Sequence, residues 1–262
     1  MMWPLIGAGF VTGFLVGLTG VGGGALMTPL LLLVFGVAPR VAVGTDLWFA
    51  SFTKLAATGV FHGNGLIDWE IVKRLWWGSL PASLLALIWL YYLSTTAQDV
   101  TFLKQAIAAA VLWGGMALLF QPILQALSRR HSGAAQDVPD PWGWGLTVLG
   151  GALLGALVTL TSIGAGALGA VMLLHLYPVR LTPSRLIATD IAHAIPLALL
   201  AGLGHLLLGN VDVFILGPLL IGSLPGAFLG ALLTTRLSPT LLRSILSITL
   251  LTFGLKLWWV PK

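Results

Sequence analysis

Polar residues are so sparse along this chain that the apolar positions between them fall into long stretches. These lie at about residues 3–35, 41–62, 71–93, 102–126, 142–177, 185–208, 212–234 and 240–260. Most have the length of one transmembrane helix, for which about 20 apolar residues suffice. The stretches 3–35 and 142–177 exceed one span and fall short of two full ones. Each is interrupted by small residues, GLTGVGGGAL at 17–26 and TLTSIGAGAL at 159–168. The interruption leaves arms that fit a helical hairpin entering and leaving on one side, or two short tilted spans. The pattern predicts an all-α polytopic membrane protein with Gly-rich broken helices or helical hairpins at equivalent positions.

Composition agrees. Of 262 residues 58% are hydrophobic and 8% charged, against about 25% charged in a soluble domain. The 13 Lys and Arg against 8 acids give a net charge of +5. In a membrane protein that excess speaks of orientation and anionic lipid, not of nucleic acid. With no cysteine, disulfides, thiolate metal sites and thiol catalysis are excluded. Trp69, Trp76, Trp77, Trp142, Trp144, Trp258 and Trp259 cluster near segment ends, as an aromatic belt does. The N-terminus MMWPLIGAGF lacks a basic n-region, so it is not read as a cleaved signal peptide.

The one polar stretch, SRRHSGAAQDVPDP at 128–141, reads as a surface linker. The sequence on its two sides matches, which divides the chain into a first repeat, 1–127, and a second, 142–262. The two small-residue blocks are identical at six of ten positions, at an offset of 142. Pro39, Thr45 and Asp46 then match Pro183, Thr189 and Asp190 at an offset of 144. Gly65 and Asp68 match Gly209 and Asp212, and GSLP at 78–81 matches GSLP at 222–225. Duplicated halves are a common transporter plan, with the substrate near the repeat interface.

Charge placement bears on whether the halves are parallel or inverted. If 3–35 and 142–177 each cross an even number of times, Lys73, Arg74, Arg129, Arg130, Arg180, Arg185, Arg236 and Arg243 share one side. Only Arg40, Lys104 and Lys262 lie on the other. Such a bias is what the positive-inside rule expects. Single crossings leave no bias. The expectation is therefore inverted repeats, with both termini outside the cytoplasm.

A break at membrane depth is tolerated only against protein or water. Freed N–H groups at the start of a helical arm attract anions, and glycine permits close approach to the backbone. Gly20, Gly22, Gly23, Gly24, Gly164 and Gly166, with the hydroxyls of Thr19, Thr45, Thr161, Ser162 and Thr189, are therefore candidate substrate-binding residues. Tight helix packing through small residues is the plainer alternative. GVGGG is not a phosphate loop, since no Lys-Ser/Thr follows it.

Ionisable residues inside spans are costly and usually functional. Asp46 and Lys54 lie eight residues apart, within about 80° on one helix face. Asp46 is also placed to cap a helix. Lys54 is a candidate anion ligand, or else an ion pair with Asp46 or Asp190; its counterpart is Ala198. Asp190 and His193 share a face at i, i+3, which suits a proton relay or a structural hydrogen bond. Asp46, Asp190 and His193 are the candidates for proton coupling. His62 and His205, near segment ends, read as interfacial. No histidine pairing or cysteine supports a metal site, no cofactor is implied, and GxSxG and HExxH are absent. Only Asp46 and Asp190 acting together would suit an intramembrane protease.

The run GLTGVGGGALMTPLLLLVFGVAPRVAVGTD, the GNGLIDW turn, GSLP and their second copies resemble the TauE/SafE sulfite-exporter family over about residues 5–255. That resemblance implies a small permease of the bacterial cytoplasmic membrane, moving sulfite, thiosulfate or organosulfonates on an ion gradient. It implies no enzyme activity and leaves homo-oligomerisation open. The family's glycine block maps onto Gly20, Gly22, Gly23, Gly24, Gly164 and Gly166. Its Gly-Thr-Ser element stands here as Gly44-Thr45-Asp46 and Ala188-Thr189-Asp190, with Asp in place of Ser. A proton on those carboxyls would remove their repulsion of an anion. A passive anion channel and a non-transporting membrane scaffold are the alternatives.

Overall fold

The computed structural model describes residues 2–19, 24–61, 66–92, 97–130, 142–164, 166–233 and 239–259. They form ten α-helices: α1 Met2–Thr19, α2 Gly24–Leu33, α3 Pro39–Phe61, α4 Trp69–Tyr92, α5 Ala97–Arg130, α6 Trp142–Thr161, α7 Ala167–Leu176, α8 Pro183–Leu207, α9 Val213–Leu233 and α10 Pro239–Trp259. There is no strand among the described residues. Helix satisfies every backbone polar group within one segment where hydrocarbon replaces water. Five described stretches are long and apolar enough to cross a bilayer: Trp69–Tyr92, Val100–Phe120, Trp142–Thr161, Ser184–Leu207 and Val213–Leu233. Trp69, Trp77, Trp142, Trp144, Trp258 and Trp259 are all exposed. α5 runs through Arg130, so the first residues of the expected linker are helical; residues 131–141 lie outside the described part.

The helices pack in reciprocal pairs. α1 lies on α9, and their counterparts α6 and α4 lie on each other. Small residues allow this. Gly9, Gly13 and Gly17 of α1 press against the backbone of Leu219, Ser223 and Ala227, and Gly222, Gly226 and Gly230 of α9 against Ile6, Phe10 and Phe14. Gly78 of α4 and Gly155 of α6 make the same approach to Val148 and Ser79. In lipid, where apolar surface brings helices no solvent advantage, such close backbone contact supplies the association. A Gly13→Val change therefore forces α1 and α9 apart. The expected result is a loss of about 3 kcal/mol or more, read as a lower melting temperature in detergent, whereas Gly7→Val, with open space around it, changes it little.

Numbering across these contacts gives the helix directions. Residues rise together in α1 and α9, in α4 and α6, and in α3 and α9, where Asp212 meets Thr45 and Ser223 meets Thr53. α1 and α3 thus run the same way, and the segment containing α2 returns between them. Counterparts, by contrast, run antiparallel. In α3 and α8, Trp48 Nε1 donates to the Gly202 carbonyl at 2.9 Å, while the earlier Gly44 meets the later Asn210. In α5 and α10, Ser247 Oγ donates to the Gly115 carbonyl at 2.9 Å, and Gly254 meets Leu112.

Candidate functional site

The aspartates of the repeated Gly-x-x-Asp motif join the halves. Asp212 caps α9, its Oδ1 accepting from Phe214 N at 2.8 Å, and its own N–H donates to Thr45 Oγ1 at 3.1 Å. Asp68 Oδ1 accepts from Ile71 N at 3.3 Å in α4, and its N–H donates to Thr189 Oγ1 at 3.0 Å. Each threonine of the TD pair thus accepts the N–H of the aspartate that caps a helix of the opposite half. The following residue, Asp46 or Asp190, points inward. Because Thr45 and Thr189 mark opposite ends of the antiparallel pair α3 and α8, the two aspartates lie toward opposite ends as well.

At the Asp68 end the cap carries ion pairs. Arg180 Nε and Nη2 bind Asp68 at 2.6 and 2.9 Å, Arg180 also reaches Glu70 at 2.6 Å, and Arg185 lies 3.6 Å from Asp68. Glu70 pairs with Arg74, whose guanidinium donates to Tyr177 Oη at 3.1 Å. Burial pushes the Asp68 carboxyl up, but the Arg180 hydrogen bonds outweigh it and hold it below its usual range.

The second break follows α6. Thr161 Oγ1 donates to the Leu157 carbonyl at 2.6 Å and accepts from Ile163 N at 3.2 Å, so its hydroxyl ties off the helix end. The chain then passes through Ser162 at φ 59°, Gly164 at φ 130° and Gly166 at φ 122° before α7 begins. The Gly166 N–H faces the carboxyl of Asp190, which also faces the Lys54 ammonium; Asp190 Oδ1 is buried without a hydrogen-bond partner. Gly169 makes room for that carboxyl: a Cβ there would stand 2.6 Å from Asp190 Oδ1. Lys54 is buried and is an electrostatic neighbour of both Asp190 and His193. His193 Nε2 lies 3.0 Å from Ser79 Oγ, and its Nδ1 has no partner. Asp190 and His193 share a face as expected, but the histidine's hydrogen bond goes to the GSLP serine of the first half.

Asp46 is enclosed differently. Thr28 of α2 donates its hydroxyl to the carboxyl, which its N–H also faces. Ser162, from the second half's break, faces the same carboxyl without reaching hydrogen-bond geometry; Asp46 Oδ1 and Ser162 Oγ are both buried without a partner. Asp46 therefore bridges two elements at depth instead of capping α3. Gly20, Gly22 and Gly23 lie outside the described residues, as does the side chain of Thr19; Gly24 is the first residue of α2. His62 also lies outside. His205, expected at the interface, is buried, and its Nε2 lies 2.9 Å from the Thr159 carbonyl at the broken end of α6. A segment-end histidine finds that orphan carbonyl only because α6 stops inside the molecule.

Thr28, Ser79 and Gly169 are site residues that the sequence did not single out. Residues 5–257 match the family described as sulfite exporter TauE/SafE. The chain belongs to that family. Over 258 residues, 98% of this chain and 100% of the relative, it is 37% identical to the probable membrane transporter protein YjnA of Bacillus subtilis. It is 28% identical over 220 residues, 80% of this chain and 74% of the relative, to the probable membrane transporter protein MJ0441 of Methanocaldococcus jannaschii. No solved structure matches it. As a TauE/SafE protein with apolar helices of spanning length, the chain is an integral membrane transporter for a small-molecule substrate.

Proposed function

We propose that this TauE/SafE protein is a secondary transporter of small sulfur-containing anions in the bacterial cytoplasmic membrane, and a carrier rather than an enzyme. The observation that carries the reading is the buried Asp190 carboxyl, its Oδ1 without a partner, facing the Gly166 N–H and buried Lys54. A carboxylate there occupies the donors that a sulfonate or sulfite oxygen would use. Protonating Asp190 removes its claim on both donors, so that proton and anion enter together. His193, beside Lys54 and bonded to Ser79, holds the same cluster. Antiparallel counterparts α3 and α8, and α5 and α10, support an inverted repeat, in which exchanging the conformations of the halves exchanges the open side. Asp46 and Asp190 take separate partners, which disfavours a shared-proton protease pair.

The test is sulfite flux into proteoliposomes with and without an imposed pH gradient. Uphill accumulation that needs the gradient is expected. Fast flux that only runs downhill would make the protein a channel. Silence for sulfite, thiosulfate, sulfoacetate and sulfate alike would make it a scaffold.

A further inference from the structure

The two matching carboxyls are compensated by different means. Asp190 has a fixed positive neighbour, Lys54, and a backbone N–H. Asp46 also faces a backbone N–H, that of Thr28, but the lysine is missing: the counterpart of Lys54 is Ala198. Asp46 instead has hydroxyls, from Thr28 and Ser162. Their counterparts are Ala170 and Gly20, which carry none.

The surroundings add to the imbalance. Ser162 directly follows the last residue of α6, so the negative end of that helix dipole faces the same place. Asp46 is 0% and Ser162 7% exposed. Asp46 Oδ1 and Ser162 Oγ are orphan oxygens; a buried acceptor or hydroxyl without a partner is expensive. A carboxylate, two hydroxyls and a helix C-terminus are hard oxygen ligands, and such broken-helix ends are where transporters hold small cations.

We infer that Asp46, Ser162 and Thr28, at the broken C-terminal end of α6, form a binding site for a sodium ion that couples to anion transport. The inference rests on the transport reading and changes its coupling ion at Asp46 only, leaving protonation to Asp190. The ion would bridge α2 and α3 of the first half to the break of the second. Its binding would then depend on how the halves sit against each other, which is what coupling requires.

The test needs no transported anion. The melting temperature of the purified full chain is measured at one ionic strength and pH in sodium chloride and in choline chloride. Sodium is expected to raise it by several degrees in the wild type, by mass action on the folded state. The rise should vanish in Asp46→Asn and shrink at least tenfold in apparent affinity in Ser162→Gly. Glycine suits the φ of 59° at that position, so the second variant removes the hydroxyl without straining the backbone. Asp190→Asn should keep the response.

No sodium response in the wild type, or one that Ser162→Gly leaves unchanged, overturns the sodium site. Stabilisation by acid alone, with no difference between sodium and choline, also overturns it. Sulfite flux in the same preparation separates the two readings. Flux without a sodium response leaves the anion transporter standing, and a sodium response without flux removes only the proposed substrate.

Discussion

Lys54→Met is expected to lower sulfite flux by 100-fold or more at pH 7, in protein that still reaches the membrane. Removing one partner of a buried charge contact to a ligand costs about 2–5 kcal/mol of affinity, and every 1.4 kcal/mol is tenfold. The variant strips the positive charge from the cluster that Asp190 and His193 share. It also leaves the Asp190 carboxylate buried beside a methyl group, so the melting temperature should fall. Adding Asp190→Asn removes the charge that Lys54 neutralised. The double variant should therefore regain most of the stability, the non-additivity expected of partners, and regain none of the flux. Wild-type flux in Lys54→Met would remove the lysine from the anion's path. A double variant no more stable than the single one would show that Asp190 is not its partner.

Much of the fold could be read because the bilayer simplifies the physics. Where no water competes, a spanning segment must be a helix or part of a closed barrel, and apolar runs of this length mark helices. The duplication was visible at fixed offsets of 142 and 144, and both members of each matching pair, Thr45 with Thr189 and Asp68 with Asp212, make the same bond in the structure. The breaks were visible because glycine so concentrated has no place in an undisturbed helix. The packing stripes were less legible. Gly9, Gly13 and Gly17 recur at i, i+4, but the partner backbone of α9 lies more than 200 residues away in sequence, and no local pattern names it.

The site was legible where a residue was chemically out of place. Asp46, Lys54, Asp190 and His193 stand out in apolar helices, and all are buried. Their partners were not legible. Thr28 and Ser79 are single hydroxyls in apolar runs, ordinary until the fold sets them against Asp46 and His193. Gly169 looked like any other membrane glycine, although it is the absence of its side chain that seats the Asp190 carboxyl. Thr161 shows the converse. Its place in the repeated block suggested a ligand hydroxyl, and the helix end took the hydroxyl first. Contacts between the halves decide these roles, and sequence spacing carries no record of them.

Gly166→Ala is expected to cut flux by about 10–100-fold with a smaller loss of stability. At φ 122° an L side chain is strained by about 1–3 kcal/mol. The chain would relieve that strain by rotating the peptide whose N–H now meets Asp190. The donor is then misaimed for carboxylate and anion alike, so the strain is converted into lost binding. Gly209→Ala supplies the comparison. Gly209 also has positive φ, 73°, with nothing near an added Cβ, and it lies in the turn before α9, away from the break. It should lower the melting temperature by a similar amount while flux per folded molecule stays at the wild-type level. Equal flux from the two variants would mean that the break is packing and no more. Unequal flux at matched stability would tie the Gly166 N–H to the transported anion.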